Sequence, residues 1–257
     1  MTEIGRRAIL LATAGAFAAA AFSGPETAQA KGPDNSALPA AFQRNDIIVF
    51  QGDSITDGGR QREGLDYNHI MGQDYCYIIA GEILSQFPAV NLTFLNRGIG
   101  GNTVNDLTGR WQADTLDLKP SLVSILIGVN DCSFAFGKID PLQASENYQS
   151  AYDALVQQTI TALPGVRIVI AQPFALPVGS RQVNFDAYQA MLGLFQKASE
   201  DIATKYKLPY VRYADMFNDA CKRASPDHWS WDGIHPTYAG HFLMHRLWLD
   251  TVQKFYT

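Results

Sequence analysis

The feature that most constrains this chain is a repeated pairing of a short, unbroken apolar run with a longer segment of helical periodicity. Apolar runs cover residues 47–51, 92–96, 122–127, 166–172 and 210–213, and helical patterns cover about 69–87, 103–118, 145–162, 185–206 and 237–255. A strand that is apolar on both faces must be covered on both, and strands separated by helices run parallel. Five such units predict an α/β fold, a three-layer α/β/α sandwich around a five-stranded parallel sheet. In open sheets of this kind ligands bind beyond the carboxyl ends of the strands. The residues that follow each run are therefore the place to look for chemistry.

Those residues are distinctive. The first run enters Gly52-Asp53-Ser54-Ile55. The second enters Asn96-Arg97-Gly98-Ile99-Gly100-Gly101-Asn102-Thr103, and the third enters Gly128-Val129-Asn130-Asp131. Near the C-terminus stands Asp232-Gly233-Ile234-His235-Pro236. Any one of these is a weak signal, since surface turns are rich in such residues. Together, in this order, they supply a serine hydroxyl, glycine amides, a carboxamide and an Asp-x-x-His pair. A serine hydroxyl is a poor nucleophile at neutral pH unless an imidazole takes its proton. A carboxylate on the other ring nitrogen fixes the tautomer and stabilises the imidazolium, and amide donors stabilise the oxyanion that forms. Thr56 stands where the second glycine of a Gly-x-Ser-x-Gly elbow would be, which argues against the common α/β-hydrolase fold.

On these four segments the chain resembles the SGNH, or GDSL-type, esterase and acylhydrolase superfamily, over about residues 46–255. The resemblance implies an SGNH/flavodoxin-like sandwich with Ser54 as nucleophile, His235 as general base and Asp232 orienting the imidazole. It implies an oxyanion hole made of the Ser54 N–H, the Gly101 N–H and the Asn130 side-chain amide, with Gly100 as a rival to Gly101. It further implies a serine esterase working through an acyl-Ser54 intermediate. Within that class the expectation is a small-acyl (acetyl) carbohydrate esterase, and the alternative is a general short-chain esterase, lipase or lysophospholipase. No cofactor is expected.

Other residues have competing readings. Asp57 either meets substrate or caps a turn. Arg60 is a solvated charge or faces substrate. Trp231, beside Asp232, either lines the pocket as an aromatic wall or pins its loop to the core. His69, His228, His241 and His245 compete with His235 as the base; His241 and His245 stand i, i+4 on the last predicted helix. Asp53, Asp57, Asp131 and His235 form a possible metal set for a phosphoesterase, but no spacing of zinc-ligand type occurs. The segments 57–68 and 175–184, the second carrying Arg181, are long enough to build a cleft. Cys76, Cys132 and Cys221 are expected to be buried small hydrophobes.

The N-terminus reads as an export signal over residues 1–30. Arg6-Arg7 precede an alanine-rich apolar stretch, 8–22, and Ala28-Gln29-Ala30 offers a small-x-small cleavage site. The paired arginines resemble a twin-arginine signal of a bacterium, which implies a periplasmic or secreted protein. Residues 31–44 read as a linker and 45–257 as the hydrolase domain. The apolar stretch falls short of the roughly 20 residues of a membrane span, so no stable membrane anchor is expected. A net charge of −5 argues against nucleic acid as a partner. The expected partner is a small-molecule or polysaccharide ester.

Overall fold

The computed structural model describes residues 38–64 and 66–256. The expected export signal, residues 1–30, lies outside the described residues. The strands are β1 (Ile47–Gly52), β2 (Thr93–Asn96), β3 (Leu122–Leu126), β4 (Arg167–Ala171) and β5 (Tyr210–Val211). All pair in parallel in the order β2-β1-β3-β4-β5. The described helices are α1 (Ser54–Asp57), α2 (Tyr67–Met71), α3 (Tyr75–Gln86), α4 (Val104–Asp114) and α5 (Val129–Ala135), followed by α6 (Pro141–Ala162), α7 (Phe185–Tyr206), α8 (Tyr213–Ala220), α9 (Pro226–Trp229) and α10 (Tyr238–Phe255).

The sheet is buried on both faces, as its apolar runs require. Its two-residue period divides the sandwich. On one face Phe50 packs against Tyr75 of α3 and Trp248 of α10, and the Trp248 indole N–H donates to Ser124 Oγ at 2.9 Å. On the other, Gln51 Nε2 donates to the Asp114 carbonyl and Thr115 Oγ1 at the end of α4, both at 2.8 Å. There α4 packs on α6, with Trp111 Nε1 donating to Thr159 Oγ1 at 2.9 Å, and α6 packs on α7. The strand order reverses between β1 and β3, where such sheets open a crevice at their carboxyl ends. Ser54 follows one of these strands and Asn130 the other.

The five-strand α/β sandwich is thus observed, with differences of local origin. The helix expected over 69–87 is two helices, because Gly72 sits at φ +78 and a Cβ there would stand 2.5 Å from the Asp57 carbonyl. The strand expected over 210–213 shortens to two residues because Tyr213 already begins α8. The end of the expected linker belongs to the core. Ala41 and Phe42 are buried, the Phe42 ring lies 6.2 Å from Phe94 and 6.3 Å from Trp248, and Arg167 donates to the Ala41 carbonyl. The Gly, Pro, Asn and Ser of this stretch hid one aromatic anchor at its end. Cys76, Cys132 and Cys221 are all free thiols; the first two are buried and Cys221 is partly exposed.

Candidate active site

At the end of β1 the backbone passes very close to β3. A Cβ on Gly52 would stand 2.4 Å from the Leu126 carbonyl oxygen and 2.4 Å from Thr56 Oγ1, so only glycine fits. Asp53 then caps α1, its Oδ1 accepting from the Ile55 N–H at 3.0 Å. The cap places Ser54 first in the helix, half-buried, with its N–H lacking an intrahelical acceptor.

The loop between α9 and α10 brings its histidine to this serine. His235 Nε2 lies 2.8 Å from Ser54 Oγ, and Nδ1 lies 2.6 Å from Asp232 Oδ2. Asp232 Oδ1 accepts the backbone N–H groups of Ile234 (2.9 Å) and His235 (2.8 Å). Partial burial pushes the Asp232 carboxyl up, but the hydrogen bonds from His235 and Ile234 outweigh it and hold the group below its ordinary range. A carboxylate only accepts, so Nδ1 carries its hydrogen toward Asp232 and Nε2 offers a lone pair to the serine hydroxyl. Ser230 Oγ braces the loop by donating to the His235 carbonyl at 2.9 Å and accepting the Gly233 N–H at 3.0 Å. The Trp231 indole stacks on the His235 ring at 5.3 Å and 16°, yet stays 65% exposed. It therefore lies over the histidine rather than in the core.

Two further segments converge on Ser54. Asn130, near the start of α5, is half-buried and gives one Nδ2 hydrogen to the Asn102 carbonyl at 3.0 Å, leaving the second unused among the described residues. In the glycine turn after β2, the Gly100 N–H is already committed, donating to Asp57 Oδ2 at 2.9 Å. The Gly101 N–H has no acceptor among the described residues. Of the two rival glycines, the one the resemblance favours, Gly101, is thus the one whose amide is free.

Of the two readings of Asp57, the geometry shows the turn contact directly. The residue borders the cleft, but its oxygens are taken up by the protein. Oδ2 also accepts from Arg62 Nη2 at 2.5 Å, and Oδ1 accepts from the Arg60 N–H at 3.2 Å. Arg62 Nη1 and Arg60 Nε in turn donate to the Gly98 carbonyl at 2.7 and 3.0 Å. A buried carboxylate needs such partners, and these tie it to the turn that carries Gly101. Arg62 was invisible as a site residue because its role is a contact across the turn rather than a motif.

The other histidines are accounted for. His69 bonds Asp66 at the surface, and His228 sits edge-on to Trp229. His245 is buried between the Phe242 carbonyl and Glu82 and joins α10 to α3. The i, i+4 pair therefore does not converge on one ligand. His241 lines the cleft with Ser54, Ile55, Gln73 and Trp231, a cavity of about 410 Å³. Burial, reinforced by nearby His235, lowers His241 to about 4, so it stands neutral at physiological pH. Among the described residues no three His, Cys, Asp or Glu side chains gather as metal ligands, so the acidic set weighed for a phosphoesterase does not assemble.

Two carboxyls behind the site are strained electrostatically. Burial raises Asp53 to about 7 against the Ile55 N–H bond, with Asp131 adding repulsion, and burial raises Asp131 itself to about 6. Each keeps one buried oxygen without a partner. A folded pKa above the unfolded value means the favourable contribution is complete below about pH 4 and is lost as pH rises through about 7 for Asp53. Asp53→Asn is expected to gain stability relative to wild type as pH rises from 4 to 8, by on the order of a few kcal/mol in total. A difference between the two proteins that stays flat across that range in calorimetry would show that Asp53 ionises freely.

Comparison with known proteins places this geometry among esterases. The family model of GDSL-like lipases and acylhydrolases matches residues 50–243. An acetylxylan esterase of Geobacillus stearothermophilus is 32% identical over 210 residues, 80% of this chain and 93% of that protein. Its crystal structure superposes with a TM-score of 0.71 at 30% identity, covering 82% of this chain and 95% of the other. Its catalytic mutants replace an aspartate, a serine or a histidine by alanine. A Parabacteroides merdae structure described as a GDSL-like lipase superposes with a TM-score of 0.77 at 32% identity, over 83% of this chain and 98% of that one.

Proposed function

Given that the chain belongs to the GDSL-like lipase/acylhydrolase family and is a carboxylic ester hydrolase, we propose that it is a serine esterase that removes small acyl groups, acetyl above all, from carbohydrate. The observation that carries the reading is the unbroken relay from Asp232 through His235 to Ser54, at 2.6 and 2.8 Å. In this mechanism Ser54 Oγ attacks the ester carbonyl as His235 Nε2 takes its proton, and Asp232 steadies the imidazolium. The tetrahedral oxyanion meets the N–H groups of Ser54 and Gly101 and the free Nδ2 hydrogen of Asn130. The leaving alcohol takes the proton from Nε2, and water releases acyl-Ser54 by the same steps in reverse order of roles.

Carbohydrate is favoured by the exposed Trp231 indole, one face on His235 and the other free to lie along a sugar ring, and by the resemblance to the acetylxylan esterase. A short-chain esterase, lipase or lysophospholipase is the alternative. The deciding experiment measures acetate release from acetylated xylan and pectin beside p-nitrophenyl esters from acetate to palmitate. Acetate release with acetate far ahead of octanoate is expected; a preference for octanoate or longer transfers the protein to the lipolytic reading. Export through a twin-arginine signal over residues 1–30 completes the proposal, ahead of a linker and the hydrolase domain. Among the described residues no helix is long and apolar enough to cross a membrane.

Asn130→Ala tests the oxyanion hole. Its amide meets a charge that exists only after attack, so turnover is expected to fall roughly a hundredfold to a thousandfold with little change in KM. A variant with lowered melting temperature but near-normal turnover would make Asn130 a brace for the Asn102 carbonyl instead.

A further inference from the structure

We propose that Arg181 recognises a carboxylate carried by the carbohydrate, so that the favoured substrates are acetylated glycans bearing uronic acid units. This rests on the carbohydrate reading above and extends it to the charge of the glycan. Arg181 lies on the 3-10 turn Gly179–Gln182, within the segment joining β4 to α7. That segment is fastened to the loop of the catalytic pair. The Leu176 N–H donates to the Gly233 carbonyl at 2.8 Å, and Arg181 Cδ lies 3.1 Å from where a Cβ on Gly233 would stand. The guanidinium carbon sits 4.9 Å above the Tyr188 ring, and Nη2 lies 3.4 Å from Ser133 Oγ. Ser133 is one turn beyond Asn130 on α5. Arg181 therefore spans the ground between the helix of Asn130 and the loop of Asp232 and His235.

Among the described residues Arg181 lacks a counter-charge, as do Arg60 and Arg97 in the turn beside Ser54, but it alone of the three reaches both α5 and the loop of His235. Arg62 is paired with Asp57, and Arg110 with Asp114. Arg181 is half-buried, yet among the described residues it has no ion pair. A guanidinium offers five N–H bonds in a planar fork suited to a carboxylate, and a protein hydroxyl takes only one of them here. The Tyr188 ring lies against the guanidinium plane and Ser133 takes one edge, while its other N–H groups have no acceptor among the described residues. In a chain of net charge −5, a cation without an ion pair, held between α5 and the loop of the catalytic pair, fits an anionic group on the substrate.

The test compares kcat/KM for two acetylated xylo-oligosaccharides of equal length, one with a glucuronic acid branch and one without. Wild type is expected to favour the acidic substrate roughly tenfold or more, and the preference is expected to shrink as salt rises from about 50 to 500 mM. Arg181→Gln is expected to bring the ratio close to one. Arg181→Lys, which keeps the charge but not the fork, is expected to lie between them. Equal rates for both substrates in wild type, or an unchanged ratio in Arg181→Gln, would overturn the assignment while leaving the carbohydrate esterase intact. Failure to release acetate from either oligosaccharide, with p-nitrophenyl acetate still cleaved, would overturn the carbohydrate reading and this one with it.

Discussion

Ser54→Ala is expected to lower turnover roughly a millionfold, the loss seen when the serine of a comparable relay is removed. The change deletes one half-buried hydroxyl whose hydrogen bond to His235 contributes about 1 kcal/mol net. The melting temperature should therefore stay within about 4 °C of wild type. This contrast of scale makes the result decisive. A folding defect would lower activity and melting temperature together, whereas loss of the nucleophile removes the acyl intermediate and leaves the sandwich alone. Retention of even a tenth of the wild-type rate in purified variant would mean that another group attacks the ester. Trapping the acyl group on Ser54 by mass spectrometry after rapid quenching checks the same assignment from the other side.

His235→Ala is expected to cost nearly as much, because without an imidazole at 2.8 Å the serine proton has nowhere to go. The two losses should not multiply. A Ser54→Ala/His235→Ala double variant should be about as slow as either single one, since both remove the same step. His69→Ala and His228→Ala are the controls. His69 is paired with Asp66 at the surface, and His228 is exposed beside Trp229, so turnover in both should stay within about twofold of wild type. Equal losses at His228 and His235 would assign the base wrongly within this one loop.

Much of the site was legible because its parts are local. Asp232 and His235 are joined by a loop so short that their side chains meet almost by chain geometry, and the Ile234 and His235 N–H groups close on the same carboxylate. Ser54 and Asn130 were legible because each follows an apolar run, and a parallel sheet delivers all such residues to one edge. Asp57 was left with two readings, substrate contact or turn cap, for the opposite reason. A carboxylate three residues past the nucleophile looks available for substrate, and only the folded chain brings Arg62, Arg60 and Gly100 to its oxygens.

The sequence by itself determined the sandwich and the strand ends that carry the first three motifs, because these depend on periodicity along the chain; the members of the relay were what the family resemblance implied. Tertiary structure alone decided which glycine amide is free, where the Arg181 charge comes to rest, and that Phe42 belongs to the core. The chain is silent on these points because each is fixed by groups distant in sequence. The Gly100 N–H is occupied because Asp57 reaches across 43 positions, and Arg181 is held without a counter-charge against Ser133 and Tyr188, 48 and 7 positions away. Whether a donor or a charge is spent or spare depends on what surrounds it, and that is settled only when the layers close.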